Sequence, residues 1–373
     1  MKVLFQSRVT LFSSPGGDTT QILKTAEYLR NLGVVVDVTT DLEPDVSAYD
    51  VVHVFNLRNP QEIYLQIKNA KSYGKPVALS TIWGEYVEYD RYARGGIYGV
   101  LSNILGNYSI EYCKVAARAV LNGEFHKGTI KLLMTGYHRL QLQACSMVDV
   151  YLPNSESEMR RVEQDMNLNG VEYVSVPNAV DVNVFNYDSV SIPEKYMAFE
   201  GCLLSAARIE GRKCQLQLIR AMEGLPYKLV IVGKSGPNAQ GYYQQCLAEA
   251  PENVHFIDYL PHEELPALYK VAKAHALVSW METPGLSSLE AAAMRCNLLI
   301  TEKGDTRDYF GSYARYCDPS SLQSIRQGVV DVMTQDFDQR MHDRVVSNYT
   351  WDKTAEATLQ GYSKAVSRVK AFA

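Results

Sequence analysis

The sequence predicts an α/β protein built from two doubly wound domains. Runs of β-branched and aliphatic residues alternate with helical periods along the whole 373-residue chain. These runs are apolar at successive positions, as in parallel strands that helices cover on both faces. The alternation begins again near residue 200, and a chain of this length is long enough for two domains.

The first domain is predicted over residues 1–180. Its apolar runs predict strands at 2–7, 34–40, 50–56, 77–82 and 148–155. Residues 19–33, TTQILKTAEYLRNLG, have apolar positions at helical spacing and end on a glycine, so they predict the first helix. Residues 85–147 are rich in Tyr, Gly and Arg and predict mostly helices.

The second domain is predicted over residues 181–350, after a boundary near 178–200 in which SVSIPEKYM is interpreted as a linker. Its apolar runs predict strands at 202–208, 228–233, 253–258, 274–280 and 297–301. Both domains are therefore expected to be Rossmann-like. Ligands of such sheets bind beyond the carboxyl ends of the strands, so we expect the ligand in the cleft between the domains.

Composition argues against several classes of protein. A formal net charge of −5 and a pI near 5.9 disfavour a nucleic-acid-binding protein. The seven cysteines include no C-x-x-C pair, which predicts reduced, buried thiols. The N-terminus lacks the apolar region and cleavage site of a signal peptide, and no window reaches 18 apolar residues. We therefore expect a cytoplasmic protein.

Gly16 and Gly17 lie in the turn SSPGGDTTQ, between the first strand and the first helix. Two glycines let backbone N–H groups approach an anion, and the helix N-terminus adds its partial positive charge. The turn does not contain the G-x-G-x-x-G dinucleotide fingerprint. A phosphate contact and a plain turn capped by Asp18 or Thr19 are both compatible with this pattern.

Three cations follow the first strand of the second domain, in SAARIEGRK at 205–213. Arg208 ends the strand, and Arg212 and Lys213 are expected to open the next helix. Cations at a helix N-terminus oppose the helix dipole. An anionic ligand between Arg208 and Lys213 would resolve that conflict, and a solvated loop is the alternative.

A second glycine turn, VGKSG at 232–236, resembles a nucleotide P-loop only in part. The position five before Gly233 is Lys228, where the Walker pattern requires glycine. We expect an ordinary turn after a strand, with Gly233 lining the ligand cleft.

The stretch METPGLSSLEAAAM, residues 281–294, holds two carboxylates eight positions apart. Glu282 follows a strand, and the helix that begins in GLSSLEAAAMR is expected to face the ligand with its N-terminus. On a helix, eight residues amount to about 80° of rotation, which predicts Glu290 near the same face, two turns deeper. Carboxylates accept hydrogen bonds from sugar hydroxyls. The alternative is that Glu282 is a loop residue favoured by the helix dipole and Glu290 is a surface charge. The apolar neighbours of Glu290 indicate instead that it is at least partly buried, which favours a partnered, functional carboxylate.

No metal site is predicted. Asp336 and Asp338 form the only D-x-D of note, in a polar loop, and the seven histidines are dispersed without an H-E-x-x-H pair. The site is therefore expected to work without a metal.

Together these residues resemble the family 4 glycosyltransferases, retaining enzymes of the GT-B fold that depend on nucleotide-sugars. ETPGLSSLEAAA stands where the family has its E-x7-E motif, usually EGFGLPLLEAMA. SAARIEGRK stands where the family has a strand ending in Arg and then Lys-Gly or Lys-Asn. VPNAVD, PHEELPALYKVAKA and YTWDKTAEATLQGYSKA resemble the family's hinge, its S-x-x-E-L helix and its terminal helix. The likeness covers nearly the whole chain and is strongest over 200–310.

The resemblance implies a role for each candidate on the donor side. Arg208 and Lys213 would bind the donor diphosphate and stabilise it as the leaving group, and with Glu282 they would form the catalytic set. Glu282 would contact the donor sugar, and Glu290 the ribose. The donor site would also include Gly233, Tyr259, Leu260, Gly285 and Leu286.

On the acceptor side, the resemblance assigns Gly16 and Gly17 to phosphate or acceptor contacts. It also has a departure, because LSTIWGEYVEYD carries Trp83 where many relatives have a histidine that contacts the donor sugar. Indole cannot exchange protons at this position. The candidates to assist the acceptor hydroxyl are Glu85, Tyr86, Glu88 and Asp90. In this fold the leaving diphosphate is usually pictured as taking the acceptor proton. The resemblance also implies that residues 351–373 form a helix that packs back on the first domain.

The function implied is a hexosyltransferase that moves a sugar from a nucleotide-diphosphate sugar to a growing, lipid-linked surface glycan such as lipopolysaccharide or capsule. No cofactor is expected beyond the donor substrate, and no nucleic acid partner. Another GT-B enzyme, such as a nucleotide-sugar epimerase or a phosphorylase, is one alternative. A non-catalytic, two-domain sugar-binding protein of the periplasmic type is the other, and the missing signal peptide counts against it.

Segment 91–148 predicts where the acceptor is met. It holds seven Lys and Arg against two Glu, a net +5 inside a chain of net −5. These charges are Arg91, Arg94, Lys114, Arg118, Lys127, Lys131 and Arg139, with Glu111 and Glu124. Amphipathic runs such as IKLLMTGYHRLQL add apolar residues, so the segment predicts a peripheral contact with anionic lipid on the inner face of a membrane. The alternative is that these cations pair with acidic residues elsewhere or bind glycan phosphates.

Overall fold

The computed structural model describes residues 1–84, 106–123, 125–236 and 239–372. Within these residues the chain forms two compact units, each with its own sheet. Unit 1 comprises residues 1–83, 106–178 and 351–372, and unit 2 comprises residues 84 and 179–350.

Several sequence predictions fall outside the described residues. They concern Glu85, Tyr86, Glu88, Asp90, Arg91, Arg94 and Glu124. Across the part of the chain that is described, no helix combines the length and the apolar character needed to cross a membrane.

Unit 1 is built on a parallel sheet with the strand order β2-β1-β3-β4-β5. Its strands are β1 Lys2–Gln6, β2 Val35–Thr39, β3 Val51–Phe55, β4 Val77–Ser80 and β5 Val150–Tyr151. Its helices are α1 Gly17–Asn31, α2 Pro60–Ser72, α3 Asn107–Asn122, α4 Lys127–Thr135, α5 Tyr137–Cys145, α6 Glu156–Met166 and, at the C-terminus, α15 Trp351–Phe372.

Helices cover both faces of this sheet. Successive strand residues point to opposite faces, so Phe5 belongs to the core beneath α1 and α15, and Leu4 to the core beneath α2, α5 and α6. Buried His53 on β3 links the layers, because its Nδ1 lies 2.7 Å from the Tyr362 hydroxyl of α15 and its Nε2 lies 2.9 Å from Ser80 Oγ. The C-terminal helix thus packs on the first sheet, as the sequence predicts.

Unit 2 is built on a second parallel sheet, with the order β11-β10-β9-β6-β7-β8. Its strands are β6 Leu203–Ala206, β7 Leu229–Val232, β8 Val254–Ile257, β9 Ala274–Leu277, β10 Asn297–Thr301 and β11 Arg315–Cys317. Its helices are α7 Glu194–Met197, α8 Gln215–Ala221, α9 Gln240–Ala248, α10 Leu265–Val271, α11 Leu286–Ala293, α12 Thr306–Phe310, α13 Leu322–Thr334 and α14 Gln339–Asn348.

The predicted fold class is confirmed: each unit is a parallel sheet with a buried apolar core on both faces. Two details differ from the sequence analysis. The predicted linker at 189–197 contains the short helix α7, whose Tyr196 is buried in the core. The short strand β11 was not predicted, because RYC offers three residues with little apolar signal.

Candidate functional site

The loops after β6 and β9 lie together at the switch point of the second sheet. β6 is the first strand of this sheet along the chain, and β7 lies on one side of it and β9 on the other. Ligands of doubly wound sheets bind at this point, beyond the carboxyl ends of the two central strands. A hydrogen bond from Trp280 N–H to Arg212 O, at 2.9 Å, joins the two loops.

At this point Lys213 and Glu282 form an ion pair through a direct hydrogen bond. Both side chains are buried, with 12% and 8% of their surfaces exposed. Burial alone would raise the pKa of the Glu282 carboxyl, but the charges of Lys213 and Arg212 and the hydrogen bond from Lys213 outweigh it and lower the pKa. Glu282 is therefore held as a carboxylate.

Glu210 lies between the two arginines of the same loop. Its Oε1 is 2.7 Å from Arg212 Nε and 3.6 Å from Arg208 Nη2. The predicted helix does not begin at Arg212: residues Gly211–Lys213 form one 3-10 turn, and α8 follows from Gln215. The cations thus stand in a loop where carboxylates offset their charge, and Arg208 is the most exposed of them, at 39%.

The backbone around Glu282 is held by the loop after β10. Glu282 N–H donates to Lys303 O at 3.2 Å, and Asp305 N–H donates to Glu282 O at 3.0 Å. Gly304 has a φ of +96°, and a Cβ there would lie 2.0 Å from Glu282 O. Only glycine allows so close an approach of the two chains.

Glu282 lies outside the helix to which the sequence analysis related it. α11 begins at Leu286, after Gly285 at a φ of +84°, and a Cβ on Gly285 would lie 2.6 Å from Leu277 Cδ2. Helical rotation therefore does not set the position of Glu282 relative to Glu290. What the sequence analysis did predict is the Pro-Gly turn that leads from one carboxylate into the helix of the other.

Glu290 has its own partners, in α10 and the loop before it. Its Oε2 accepts a long hydrogen bond, 3.4 Å, from the buried Tyr269 hydroxyl, and His262 Nε2 lies 3.6 Å from its Oε1. The His262 and Phe185 rings form a T-shaped pair with a centroid distance of 5.3 Å. The expectation that Glu290 is at least partly buried and has a partner agrees with these contacts.

The other donor-side candidates lie in neighbouring loops of unit 2. Gly233 follows β7 at a φ of +149°, and a Cβ there would lie 2.0 Å from Ala207 O. Lys234 stands over the ring of Tyr259 at 4.3 Å, and this ring is 65% exposed. Leu260 is half-buried against the core.

In unit 1, the Gly16–Gly17 turn is capped by the chain's own side chains. Thr19 Oγ1 accepts from Gly16 N–H and Asp18 Oδ1 accepts from Thr19 N–H, both at 3.0 Å. Asp18 also forms two hydrogen bonds with Arg8, at 2.6 and 3.0 Å. The cap foreseen as the alternative is thus present, and the phosphate contact stays a prediction.

Trp83 is a core residue of unit 1. Its side chain is buried, its backbone N–H donates to Glu158 Oε1 at 2.8 Å, and its indole N–H donates to Asp165 Oδ2 at 2.6 Å. Buried Glu158 also accepts from Thr81 and from the backbone and side chain of Asn154. The indole thus fixes the end of β4 against α6.

Two features of unit 2 were not predicted. Glu210 could have been recognised from the alternation of charge in RIEGRK, since a carboxylate between two arginines commonly pairs with them. His262 gives no local signal, because it meets Glu290 only through the packing of α10 on α11.

Among the described residues, no three His, Cys, Asp or Glu side chains cluster as metal ligands would, and metal independence stays a prediction.

Residues 200–348 match the family described as "Glycosyl transferases group 1". The match spans the ion pairs after β6 and both carboxylates of the 281–294 stretch. Two curated relatives are also similar. A D-inositol 3-phosphate glycosyltransferase of Corynebacterium urealyticum is 26% identical over 93% of this chain and 90% of its own length. The O-antigen chain mannosyltransferase B of Escherichia coli is 22% identical over 47% of this chain and 49% of its own.

Solved structures show the same fold. HepE from Anabaena, in complex with UDP and glucose, superposes with a TM-score of 0.60 at 13% identity, over all of this chain and 98% of that one. Taken together, the matches support a glycosyltransferase of the GT-B fold.

Proposed function

We propose that this chain is a retaining hexosyltransferase of family 4, which transfers a sugar from a nucleotide-diphosphate sugar to a growing, lipid-linked surface glycan. The observation that carries the proposal is the charged cluster at the switch point of the second sheet. Arg208 and Lys213 offer cations to a diphosphate, and Glu282 offers a carboxylate to sugar hydroxyls. The UDP bound in the Anabaena neighbour and the O-antigen substrate in the name of the E. coli relative support this choice.

On this proposal Arg208 is the first cation to reach the diphosphate. Its side chain is the more exposed of the two, and Glu210 holds it only at 3.6 Å, so a phosphate can compete for it. Lys213 reaches the same group from its pair with Glu282. Glu290 takes the ribose hydroxyls, and Tyr259, Leu260 and the backbone after Gly285 complete the donor site.

In the transfer step, the acceptor oxygen bonds to the anomeric carbon on the face that the diphosphate leaves. The bond from that carbon to the diphosphate oxygen breaks, and the departing diphosphate takes the acceptor proton. The electrostatic work falls on Arg208 and Lys213, which stabilise the charge that grows on the leaving group. Glu282 orients the sugar, and no cofactor or metal is needed.

The acceptor side is proposed for unit 1. Gly16, Gly17, Trp83 and Glu85 are its candidates from the sequence, and Trp83 is part of the core of this unit. Because Trp83 donates hydrogen bonds to Glu158 and Asp165, we propose that it holds this region in place and does not contact the acceptor directly.

We also propose that helices α3 and α4 meet an anionic membrane surface. Large apolar side chains lie exposed there: Val120, Leu121, Phe125, Ile130 and Met134. Arg118 on α3 and Arg139 on α5 are also exposed, whereas Lys114 and Lys127 pair with Glu111 and Glu43. Apolar residues and cations on one surface are typical of interfacial helices. At low salt, the double variant Leu121→Asp, Met134→Asp should sediment less with anionic vesicles than the wild type does. Equal sedimentation of the wild type with neutral and anionic vesicles, unchanged by high salt, would contradict the proposal.

The transfer proposal is tested first by nucleotide binding. UDP, GDP or dTDP should raise the melting temperature, because a ligand that binds only the folded state stabilises it. Glu290→Gln should weaken this binding, while Glu249→Gln, an exposed carboxylate paired with Arg220, should not.

Turnover is the second test. Arg208→Ala should lower kcat/KM at least tenfold, about 1.4 kcal/mol, whereas Arg315→Ala, which breaks an exposed pair with Asp331, should leave it unchanged. Chelation by EDTA should not alter the rate. Binding of a nucleotide-sugar without transfer or hydrolysis would favour the sugar-binding alternative, and release of an isomerised sugar would favour an epimerase.

A further inference from the structure

A cavity of about 190 Å³ lies at the switch point of the first sheet. In that sheet β1 has β2 on one side and β3 on the other. Val9 follows β1, and Gln61 and Glu62 begin α2 after β3, so the loops on both sides of the switch point contribute to the cavity. The remaining lining comes from Val115 on α3 and from residues in 123–129. Sheets of this class bind their ligands at this position.

The walls of the cavity are in close contact with each other. Val9 N–H donates to Glu62 Oε2 at 3.1 Å, which ties the loop after β1 to α2. On the other side, a Cβ on Gly128 would lie 1.8 Å from Gln61 O, so the first turn of α4 packs directly against α2. The cavity is therefore part of the packed structure of the unit.

Its polar groups are suited to hydroxyls. Gln61 is only 6% exposed, and its side-chain carbonyl has no hydrogen-bond partner in the described structure. An unpaired buried acceptor is unfavourable, and a small shift of the Gln61 side chain toward the cavity would let a ligand hydroxyl donate to this oxygen. The buried Thr129 hydroxyl and the Glu62 carboxylate lie in the same lining, with Val9, Val115 and Phe125 as apolar surface.

The cavity offers little to an anion. Among its described lining residues there is no Lys or Arg. His126 Nδ1 accepts a hydrogen bond from Gly128 N–H at 3.2 Å, so this ring nitrogen is engaged by the backbone of α4. The nearby Arg8 is engaged by both oxygens of Asp18 and by Thr10 and Ser14. A phosphate or carboxylate on the ligand would be desolvated beside Glu62 without a cation to pair with it.

The size fits one ring. A protein cavity of about 150 Å³ accommodates a six-membered aromatic ring, so this one has room for a single pyranose. We propose that the cavity binds one uncharged sugar ring of the acceptor glycan. The identification of this sugar as part of the acceptor rests on the proposed function, but the binding of a sugar ring does not require transfer.

The experiment is saturation-transfer NMR on the full chain without donor. Methyl α-D-mannopyranoside and methyl α-D-glucopyranoside are the uncharged probes, and mannose 6-phosphate is the charged one. At least one uncharged probe should bind saturably, and at least tenfold more tightly than the phosphate. Absence of saturable binding by either uncharged probe, or tighter binding of the phosphate, would overturn the proposal.

Variants locate the binding. Phe125→Ala should lower affinity for the glycoside at least fivefold, and Phe12→Ala, an equally exposed phenylalanine outside the cavity lining, should not change it. Thr129→Val should lower it and Thr129→Ser should retain it, since the hydroxyl is kept. Equal binding by wild type, Phe125→Ala and Thr129→Val would overturn the assignment to this cavity. A UDP-induced melting shift in each variant reports the donor site separately, so failure of glycoside binding with the shift intact overturns this inference and leaves the proposed function standing.

Discussion

The two units place different chemistry at the same topological position. At the switch point of unit 2, the loops after β6 and β9 bring together charged side chains, among them the buried pair of Lys213 and Glu282. At the switch point of unit 1, the loops after β1 and β3 surround a cavity with an amide, a hydroxyl, a carboxylate and apolar side chains, and Arg8 of the first loop is paired with Asp18. On the two proposals above, the same fold would serve a charged ligand in unit 2 and an uncharged one in unit 1.

Removal of the buried cation should have the largest effect. Lys213→Met keeps an apolar stem and removes the charge, which leaves the Glu282 carboxylate buried without its direct partner. Breaking such a pair costs about 3–5 kcal/mol of stability, and we expect the midpoint of urea unfolding to fall accordingly, with at least a hundredfold loss in kcat.

The matched control is Lys195→Met in the same unit, whose pair with Glu264 is much more exposed, at 59% for the lysine. Its stability should change far less than that of Lys213→Met, because water screens an exposed pair. Equal destabilisation by the two variants would mean that unit 2 has no distinct buried charge pair, and the contrast with unit 1 would disappear.

The charged site was predictable from sequence because its residues lie in short continuous motifs. Arg208 and Lys213 share one loop, and the 281–294 stretch carries Glu282 into α11, so spacing along the chain reports their neighbourhood. The cavity of unit 1 has no such signal. Its lining comes from residue 9, from α2, from α3 and α4 and from the segment between these two helices, and only tertiary packing brings these together.

The same physical reason explains the strands. Short, mainly apolar runs predicted the central strands, because burial on both faces leaves few polar positions within a strand. The predicted ends ran one to three residues beyond most of the observed strands, since loop residues such as Thr81 and Ser279 are also buried. The role of Trp83 as a core residue was not predictable, because its partners Glu158 and Asp165 lie more than 70 residues away.

The loop that holds Glu282 should give the next largest effect. Gly304→Ala introduces a Cβ at 2.0 Å from Glu282 O at a positive φ, so either the Glu282 backbone moves or the loop does. We expect at least a tenfold loss in kcat/KM and about 2 kcal/mol or more in stability. Gly224→Ala is the control, since Gly224 also has a positive φ, +67°, but open space around it; it should lose stability and keep its activity.

The two units should respond alike to mild acid. Burial lowers the pKa of His53 in unit 1 and of His275 in unit 2 to about 3. Each is therefore neutral in the folded state between pH 6.5 and 5, whereas in the unfolded state it gains a proton below about pH 6.5. Acid then favours unfolding, by up to about 1.4 kcal/mol per pH unit for each histidine.

His53→Phe and His275→Phe should each flatten this pH dependence by a similar amount, measured by urea unfolding at pH 6.5, 5.8 and 5. Glu282 does not interfere in this window. Its lowered pKa contributes stability that is present above its unfolded value of about 4.5 and is lost below it. A pH dependence unchanged in His53→Phe would mean that its ring is charged or exposed, and the link from β3 to α15 would be wrong.

The smallest effect is expected at the surface of unit 1. Lys127 Nζ lies 2.8 Å from Glu43 Oε2, but the lysine is 80% exposed and the glutamate 43%. Water and salt screen such a pair, and the entropy of two long side chains opposes it, so a double-mutant cycle with Lys127→Ala and Glu43→Ala should give a coupling of about 0.2–1 kcal/mol that falls at high salt. A coupling energy as large as that of the buried Lys213–Glu282 pair would show that exposure does not determine the strength of these two ion pairs. A small value would support the view that Lys127 can exchange Glu43 for a lipid headgroup at little cost, because almost no stability depends on the pair it leaves.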